Sequence, residues 1–328
     1  MTVSPVSIEH VRDASVRIAA HAVRTPVLAN PSLDSMTGGR VFVKAENLQK
    51  TGSFKFRGAM NRLLALSTEE IRRGVITFSS GNHALAVAEA ARYLGCAAVV
   101  LMPTDAPRIK VHGVKARGAQ VIQYDRDRDD REAVAAELIW ERKLSLVHPF
   151  DDPFVIAGQG TAALEAVVQL KEDFNVKEVD QVLICCSGGG LSAGWGTVIR
   201  YAYTAANVFT VEPAGFDDTA RSLASGYRQS NDKASGTICD ALLARAPGEV
   251  TLPILLSLGA KGVSVSDDEV LAAMQFAFDE LKLVLEPSGA VPLAAVLSGK
   301  VKTARRTTLL IASGGNVDAD MFLSAISR

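Results

Sequence analysis

The feature that most constrains the fold is a regular alternation of short apolar runs with longer amphipathic ones. VFVKAE (41–46), VITF (75–78), AAVVLM (97–102), QVIQY (120–124), QVLICC (181–186), VFTVE (208–212) and the run over 307–312 have the length and apolar content of buried strands. Between them, HALAVAEAARYL (83–94), DREAVAAELIWERK (130–143), GTAALEAVVQL (160–170) and LAAMQFAFDEL (271–281) carry helical patterns. Strands separated by helices predict βαβ units, parallel sheets and right-handed crossovers. The expected class is α/β, with two lobes, each an open twisted parallel sheet flanked by helices on both faces. No repeat or Pro/Gly-rich linker interrupts the chain, so 1–328 is expected to be a single unit. Its smaller lobe would span about 53–146 and its larger lobe about 1–52 plus 147–328. In such folds ligand binds at the carboxyl ends of the strands.

Charge and composition exclude several classes. Thirty-five basic residues stand against 36 acidic, a net charge of -1, so nothing favours nucleic acid or an anionic membrane. No apolar run is long enough for a membrane span, and the N-terminus lacks the basic-then-apolar order of a signal peptide. The four cysteines, Cys185 and Cys186 adjacent, show no zinc spacing and suit a reducing compartment. The expectation is a globular protein of the cytoplasm.

The chemistry is concentrated in the turns after the strands. ENLQKTGSFKFRGAMN (46–61) places Lys55 between Phe54 and Phe56, at the start of a helix carrying Met60, Leu63 and Leu64. Partial desolvation and a positive helix end both disfavour the ammonium, which suits a Schiff-base lysine. Ser79-Ser80-Gly81-Asn82-His83 follows VITF, Ser187-Gly188-Gly189-Gly190-Leu191 follows QVLICC, and Ser313-Gly314-Gly315-Asn316 follows the last strand run. Glycines admit close approach, and the N–H groups of a helix start hold an anion, so Ser187–Gly190 reads as a phosphate cradle. Gly188-x-Gly190-x-x-Ala193, with Glu212 ending the next strand, also satisfies a loose dinucleotide pattern. That nicotinamide alternative leaves Lys55, Asn82 and Ser313 without roles.

The order SFKFRGA, SSGNHA, VHPFDDPFVIAGQGT, SGGGLSAG, SGGNVD resembles pyridoxal-phosphate enzymes of the tryptophan-synthase-β fold group, on the serine/threonine dehydratase and serine racemase branch. The likeness runs from about Ile18 to Asp318. It implies that Lys55 carries pyridoxal 5'-phosphate and moves protons at the substrate's Cα. Phe54 would pack on the ring, Asn82 would bond its 3-hydroxyl, and Ser187, Gly188, Gly189, Gly190 and Leu191 would hold the phosphate. Ser79, Ser80, Gly81, Asn82 and His83 would take the substrate carboxylate, and Ser313 would face the pyridine nitrogen. A hydroxyl there makes the ring a weaker electron sink than a carboxylate would, which suits prompt loss of a β-substituent.

The expected activity is therefore α,β-elimination of water from L-threonine or L-serine, giving a 2-oxo acid and ammonia. Within the same chemistry, Ser80 fits the position from which racemase relatives deliver a proton to the opposite face. A 3-hydroxyaspartate dehydratase is a further alternative, with Arg131 as a candidate cation for the distal carboxylate. Glu212 and Asp218, with the carbonyl of Phe216, match the divalent-cation site of these relatives, and such oxygens suit Mg²⁺, Ca²⁺ or Mn²⁺. Gln49-Lys50-Thr51 and Asn316 resemble a nucleotide-effector region. The resemblance also implies a homodimer, and with SGGNVD close to Arg328 no C-terminal regulatory domain is expected.

Overall fold

The computed structural model describes residues 5–79, 81–104, 106, 108–125 and 128–327, and only the backbone of residues 109 and 131. Its strands, in chain order, are β1 (Val27–Ala29), β2 (Arg40–Ala45), β3 (Val75–Phe78), β4 (Ala98–Pro103), β5 (Gln120–Tyr124), β6 (Ser145–Leu146), β7 (Gln181–Cys185), β8 (Asn207–Pro213), β9 (Lys261–Val265) and β10 (Thr307–Ala312). They form a six-stranded sheet, ordered β1-β2-β10-β7-β8-β9, and a four-stranded sheet, ordered β5-β4-β3-β6. Every neighbouring pair is parallel except β1 with β2. The smaller sheet is threaded between β2 and β7, so the larger sheet is built from two separate stretches of chain.

Parallel strands covered on both faces read as unbroken apolar runs. All residues of β3, β4 and β7 are buried accordingly. One core cluster fills the larger lobe around β2, β7, β8 and β10, and two others cover the faces of the smaller sheet. Sequence patterning misses β1 and β6, which are three and two residues long, and β9, an edge strand whose KGVSV begins exposed.

One helix links the two lobes. Pro153–Phe174 starts on Asp152, whose carboxylate accepts from the N–H groups of Phe154 and Val155, with Pro153 at the first position. Two glycine contacts bring other helices against it. A Cβ at Gly158 would lie 2.7 Å from the Cα of Gly58, in helix Lys55–Leu64. A Cβ at Gly194, in helix Gly190–Ala202, would lie 2.3 Å from the carbonyl oxygen of Ile156. The backbones come this close because the glycines carry no side chain. The lysine helix and the helix of the 187–191 loop thus lean on one scaffold. Among the described residues no helix is long and apolar enough to cross a membrane.

Candidate active site

Lys55 opens its helix, and the chain before it is zipped to the end of β10. Ser53 bridges Gly314, the Phe54 N–H donates to the Ser313 carbonyl at 3.0 Å, and the Gly315 N–H donates to the Gly52 carbonyl at 2.9 Å. Lys55 and Ser313, 258 residues apart in the numbering, are thereby neighbours. The Lys55 ammonium donates to the Pro149 carbonyl at 2.7 Å and lies 5.3 Å from the centre of the Phe54 ring. Burial brings its pKa down from 10.5 to about 8, against a small opposing influence of Cys185. The expectation of two flanking rings needs correcting. Phe56 turns into the core of the smaller lobe and packs on Tyr93, so of the two rings only Phe54 lies by the amine.

The cradle at 187–191 is built by contacts that exclude side chains. A Cβ at Gly188 would lie 2.3 Å from the Phe150 ring, and one at Gly190 2.7 Å from the Phe150 carbonyl oxygen. Gly189 has φ +91 and caps helix Gly190–Ala202 without a side-chain cap, leaving the first N–H groups open. Thr251 Oγ1 donates to the Gly188 carbonyl at 2.6 Å, and the Gly248 N–H donates to the same oxygen at 3.1 Å. Leu191 is buried in the larger core. The Ser187 hydroxyl accepts from the Ala244 N–H at 3.1 Å, so this side chain is engaged by a neighbouring loop.

Across from it, helix Asn82–Leu94 starts on Gly81, again with no side-chain cap. The Gly81 N–H donates to Ser79 Oγ at 3.2 Å. Ser80 lies outside the described residues, as does the side chain of Arg131. The His83 ring is buried and donates from Nε2 to the Val147 carbonyl at 3.0 Å. Burial, then the charge of Lys55, pushes it down to about 3, so it is a neutral ring. What this turn offers an anion is its open N–H groups, without a histidine charge.

Asn82 is held from both ends. Its Oδ1 accepts from Asn316 Nδ2 at 2.7 Å, and its Nδ2 donates to Glu286 Oε1 at 2.5 Å. Ser313 Oγ accepts from Cys185 Sγ at 3.2 Å, and burial pushes that thiol up to about 11, which keeps its hydrogen in place. Sequence patterning assigned Glu286 and Cys185 no role. Glu286 carried one signal, a glutamate at the cap position before a proline-led helix, where Ser, Thr, Asp or Asn is usual. Cys185 carried none.

Beneath the site Arg57 meets Glu46 and Glu165, each at 2.8 Å, and Lys44 meets Glu165 at 2.9 Å. The third candidate cluster adjoins the 187–191 loop. Glu212 accepts from the N–H groups of Thr219 (3.0 Å) and Ala220 (2.7 Å), and Thr219 Oγ1 donates to the Ser187 carbonyl at 3.3 Å. Asp218 Oδ1 accepts from Asn231 at 2.6 Å, while its Oδ2 is buried without a partner. Burial and the charge of Asp218 push Glu212 well up, and burial raises Asp218 to about 6. Phe216 is buried beside them. No group of three or more His, Cys, Asp or Glu side chains arranged to hold a metal exists among the described residues. Each Glu212 oxygen accepts one backbone N–H, which leaves a second lone pair on each for a further partner.

The comparisons with known proteins agree with this geometry. A family model described as pyridoxal-phosphate dependent enzyme matches residues 18–314, and the chain belongs to that family. It is 38% identical over 320 residues to a serine racemase of Schizosaccharomyces pombe, covering 98% of this chain and 97% of the relative. It is 37% identical over 317 residues to an L-threo-3-hydroxyaspartate ammonia-lyase of Saccharomyces cerevisiae, covering 97% and 95%. Among solved structures, a T.th. threonine deaminase superposes with a TM-score of 0.89 at 42% identity, covering 95% of this chain and 99% of that one. The protein is thus an enzyme of the fold found in these relatives, and its family uses pyridoxal phosphate.

The residues present fit that cofactor. The site offers a half-buried amine of lowered pKa, an uncapped glycine loop and two buried unpartnered polar atoms, Ser53 Oγ and His83 Nδ1.

Proposed function

We propose that this chain is a pyridoxal-phosphate-dependent ammonia-lyase that removes water from a β-hydroxy amino acid, L-threonine or L-serine, and releases a 2-oxo acid and ammonia. The observation that carries the reading is the position of Lys55, a desolvated amine tied through Pro149 and Phe150 to one open helix start and sensed by His83 at another. When bound, the cofactor supplies an aldehyde carbon and a ring that withdraws electrons from Cα. Lys55 would hold it and, once freed, carry the Cα proton. The 187–191 loop would fix the phosphate with backbone N–H groups, Phe54 would lie against the ring, and Ser313 would face its nitrogen. The open N–H groups at Gly81–His83 would orient the substrate carboxylate. Among the described residues Ser313 is held by a neutral thiol, with no carboxylate bonded to it, which supports elimination over chemistry that needs a long-lived carbanion.

A second reading has its own support. Relatives named serine racemase and L-threo-3-hydroxyaspartate ammonia-lyase match at 37–38% identity over nearly the whole chain. Both activities would use the same lysine and cradle. We also carry a divalent cation at Glu212, Phe216 and Asp218, completed by water, because two buried like charges and an orphaned Asp218 oxygen are what such an ion relieves. The nicotinamide alternative falls with the match to the pyridoxal-phosphate family over residues 18–314. A homodimer is part of the reading, to be checked by light scattering.

The test is the visible spectrum of the purified protein, followed by 2-oxo acid release from L-threonine, L-serine and both 3-hydroxyaspartate diastereomers, with D-serine assayed in parallel. A yellow protein that releases 2-oxobutyrate is expected, and Lys55→Ala should lower turnover by at least about a thousandfold. A colourless protein that takes up no pyridoxal phosphate would sink the reading. Preference for 3-hydroxyaspartate, or formation of D-serine, would select the second.

A further inference from the structure

The clamp on Asn82 carries more than a bond to the cofactor would require. A carboxamide has one acceptor oxygen and two donor hydrogens on nitrogen. Asn316 Nδ2 takes the Asn82 oxygen at 2.7 Å and donates its other hydrogen to the Thr51 carbonyl, also at 2.7 Å. That fixes which end of Asn82 is oxygen. One hydrogen of Asn82 Nδ2 goes to Glu286 Oε1 at 2.5 Å, and one N–H remains.

Glu286 is held as firmly as the residue it holds. It sits at the cap of helix Pro287–Leu297, and its backbone N–H donates to the Gly314 carbonyl at 3.1 Å. A Cβ at Gly314 would lie 2.0 Å from Glu286 Oε1 and 3.2 Å from Asn82 Nδ2. Only glycine lets the acid of one lobe reach the amide of the other past the end of β10. Glu286 is 3% exposed and, among the described residues, has no ion-pair partner. An uncompensated carboxyl is costly in such a place. The charged groups acting on it are Asp240 and Lys110, which pair with each other.

Resting on the pyridoxal-phosphate reading, we propose that Glu286 is a positioning residue of this site, turning Asn82 so that its remaining N–H is presented to the cofactor's ring hydroxyl. Burial and then Asp240 push the acid up to about 8, so near neutrality it keeps its proton and still accepts through Oε1. A glutamine in its place retains that acceptor, and an alanine does not.

The experiment measures the visible absorption of the holoenzyme and the dissociation constant of pyridoxal 5'-phosphate in the wild type, Glu286→Gln, Glu286→Ala, Asn82→Ala and the double alanine variant. Glu286→Ala should weaken cofactor binding about tenfold and shift the band, the cost of a mispositioned buried donor. Glu286→Gln should stay within about twofold, and on the Asn82→Ala background Glu286→Ala should add nothing, because the two act as one unit. Independent, additive effects, or a band unmoved by Glu286→Ala, would overturn the proposal. A purely structural role would lower the melting temperature and leave the band in place. Absence of any cofactor band in the wild type would instead bring down the reading beneath it.

Discussion

Two carboxylate pairs lie inside the molecule, one of them with its Glu165 partly exposed, and they are treated in opposite ways. Glu46 and Glu165 face Lys44 and Arg57, two acids against two cations, with Gln169, the Thr161 hydroxyl and the carbonyls of Val23 and Thr25 taking the remaining hydrogens. Glu46 is pulled below its ordinary pKa by Arg57, against its own burial. Glu212 takes two backbone N–H groups and Asp218 takes the Asn231 amide, and burial pushes both up, with the charge of Asp218 adding to the shift of Glu212. The first pair is complete and carries the helix that begins at Lys55. The second has only Arg221, itself paired with Asp217, acting on Asp218, and it adjoins the 187–191 loop. A charge left uncompensated in a protein interior marks a place where something else belongs.

The largest effect should come from breaking the complete pair. Arg57→Met leaves the buried Glu46 and the partly exposed Glu165 with one cation fewer, and removing one member of such a network costs about 3–5 kcal/mol. Urea unfolding followed by circular dichroism measures it. A loss under about 1 kcal/mol would mean that the network is no more than a surface pair in value. The next effect completes the other pair. Magnesium at about a hundred times its dissociation constant should stabilise the wild type by ~2.7 kcal/mol, read as a rise in melting temperature over an EDTA control. Asp218→Asn should abolish most of that rise. Equal melting temperatures with and without magnesium or calcium would remove the cation from the reading.

The two pairs should also differ in the sign of their pH dependence. In metal-free protein Asp218 binds its proton more tightly folded than unfolded, so its contribution is greatest below the unfolded pKa of about 3.8 and is lost as pH rises towards about 6. Glu46, lowered in the fold, contributes above its unfolded pKa and loses that contribution as the solution becomes more acid. Comparing wild type with Asp218→Asn isolates the first trend. The difference in unfolding free energy should fall by on the order of 2 kcal/mol between about pH 4 and 7, and magnesium should flatten it. A flat difference without metal would show that Asp218 is solvated.

This contrast also marks what the sequence could carry. Strands buried on both faces announce themselves as VITF or QVLICC, since a parallel sheet needs apolar residues at every position. The glycine turns are legible because close approach and positive φ leave a residue type behind, as at Gly189. Helix Pro287–Leu297 is apolar on all sides and has no period to read. Partner choice is the least legible property. Lys44 looks like any strand lysine until Glu165 and Gln169 arrive from 121 and 125 residues away, and Glu286 looks like a helix start until Asn82 is seen beside it. Phe56 shows the converse, since adjacency in sequence to Lys55 placed it by the amine, while one helical step carries it into another core.

The smallest effect concerns how the incomplete pair reaches the cradle. Ser187 offers two routes. Its hydroxyl holds the Ala244 N–H, and the Ala244 carbonyl accepts from Asn231 Nδ2, the same amide that donates to Asp218. Its carbonyl accepts from Thr219 Oγ1, whose N–H donates to Glu212. Ser187→Gly cuts the side-chain route and leaves the backbone route in place. One part-buried N–H loses its partner, so about 0.5–1.5 kcal/mol of stability should go, with a small further loss from the freer loop. If the carboxylate pair acts on the loop through Thr219, magnesium should raise the melting temperature and tighten pyridoxal phosphate binding to the same extent in Ser187→Gly and in the wild type. If magnesium stabilises the variant but no longer tightens the cofactor, the coupling runs through the serine hydroxyl and Ala244.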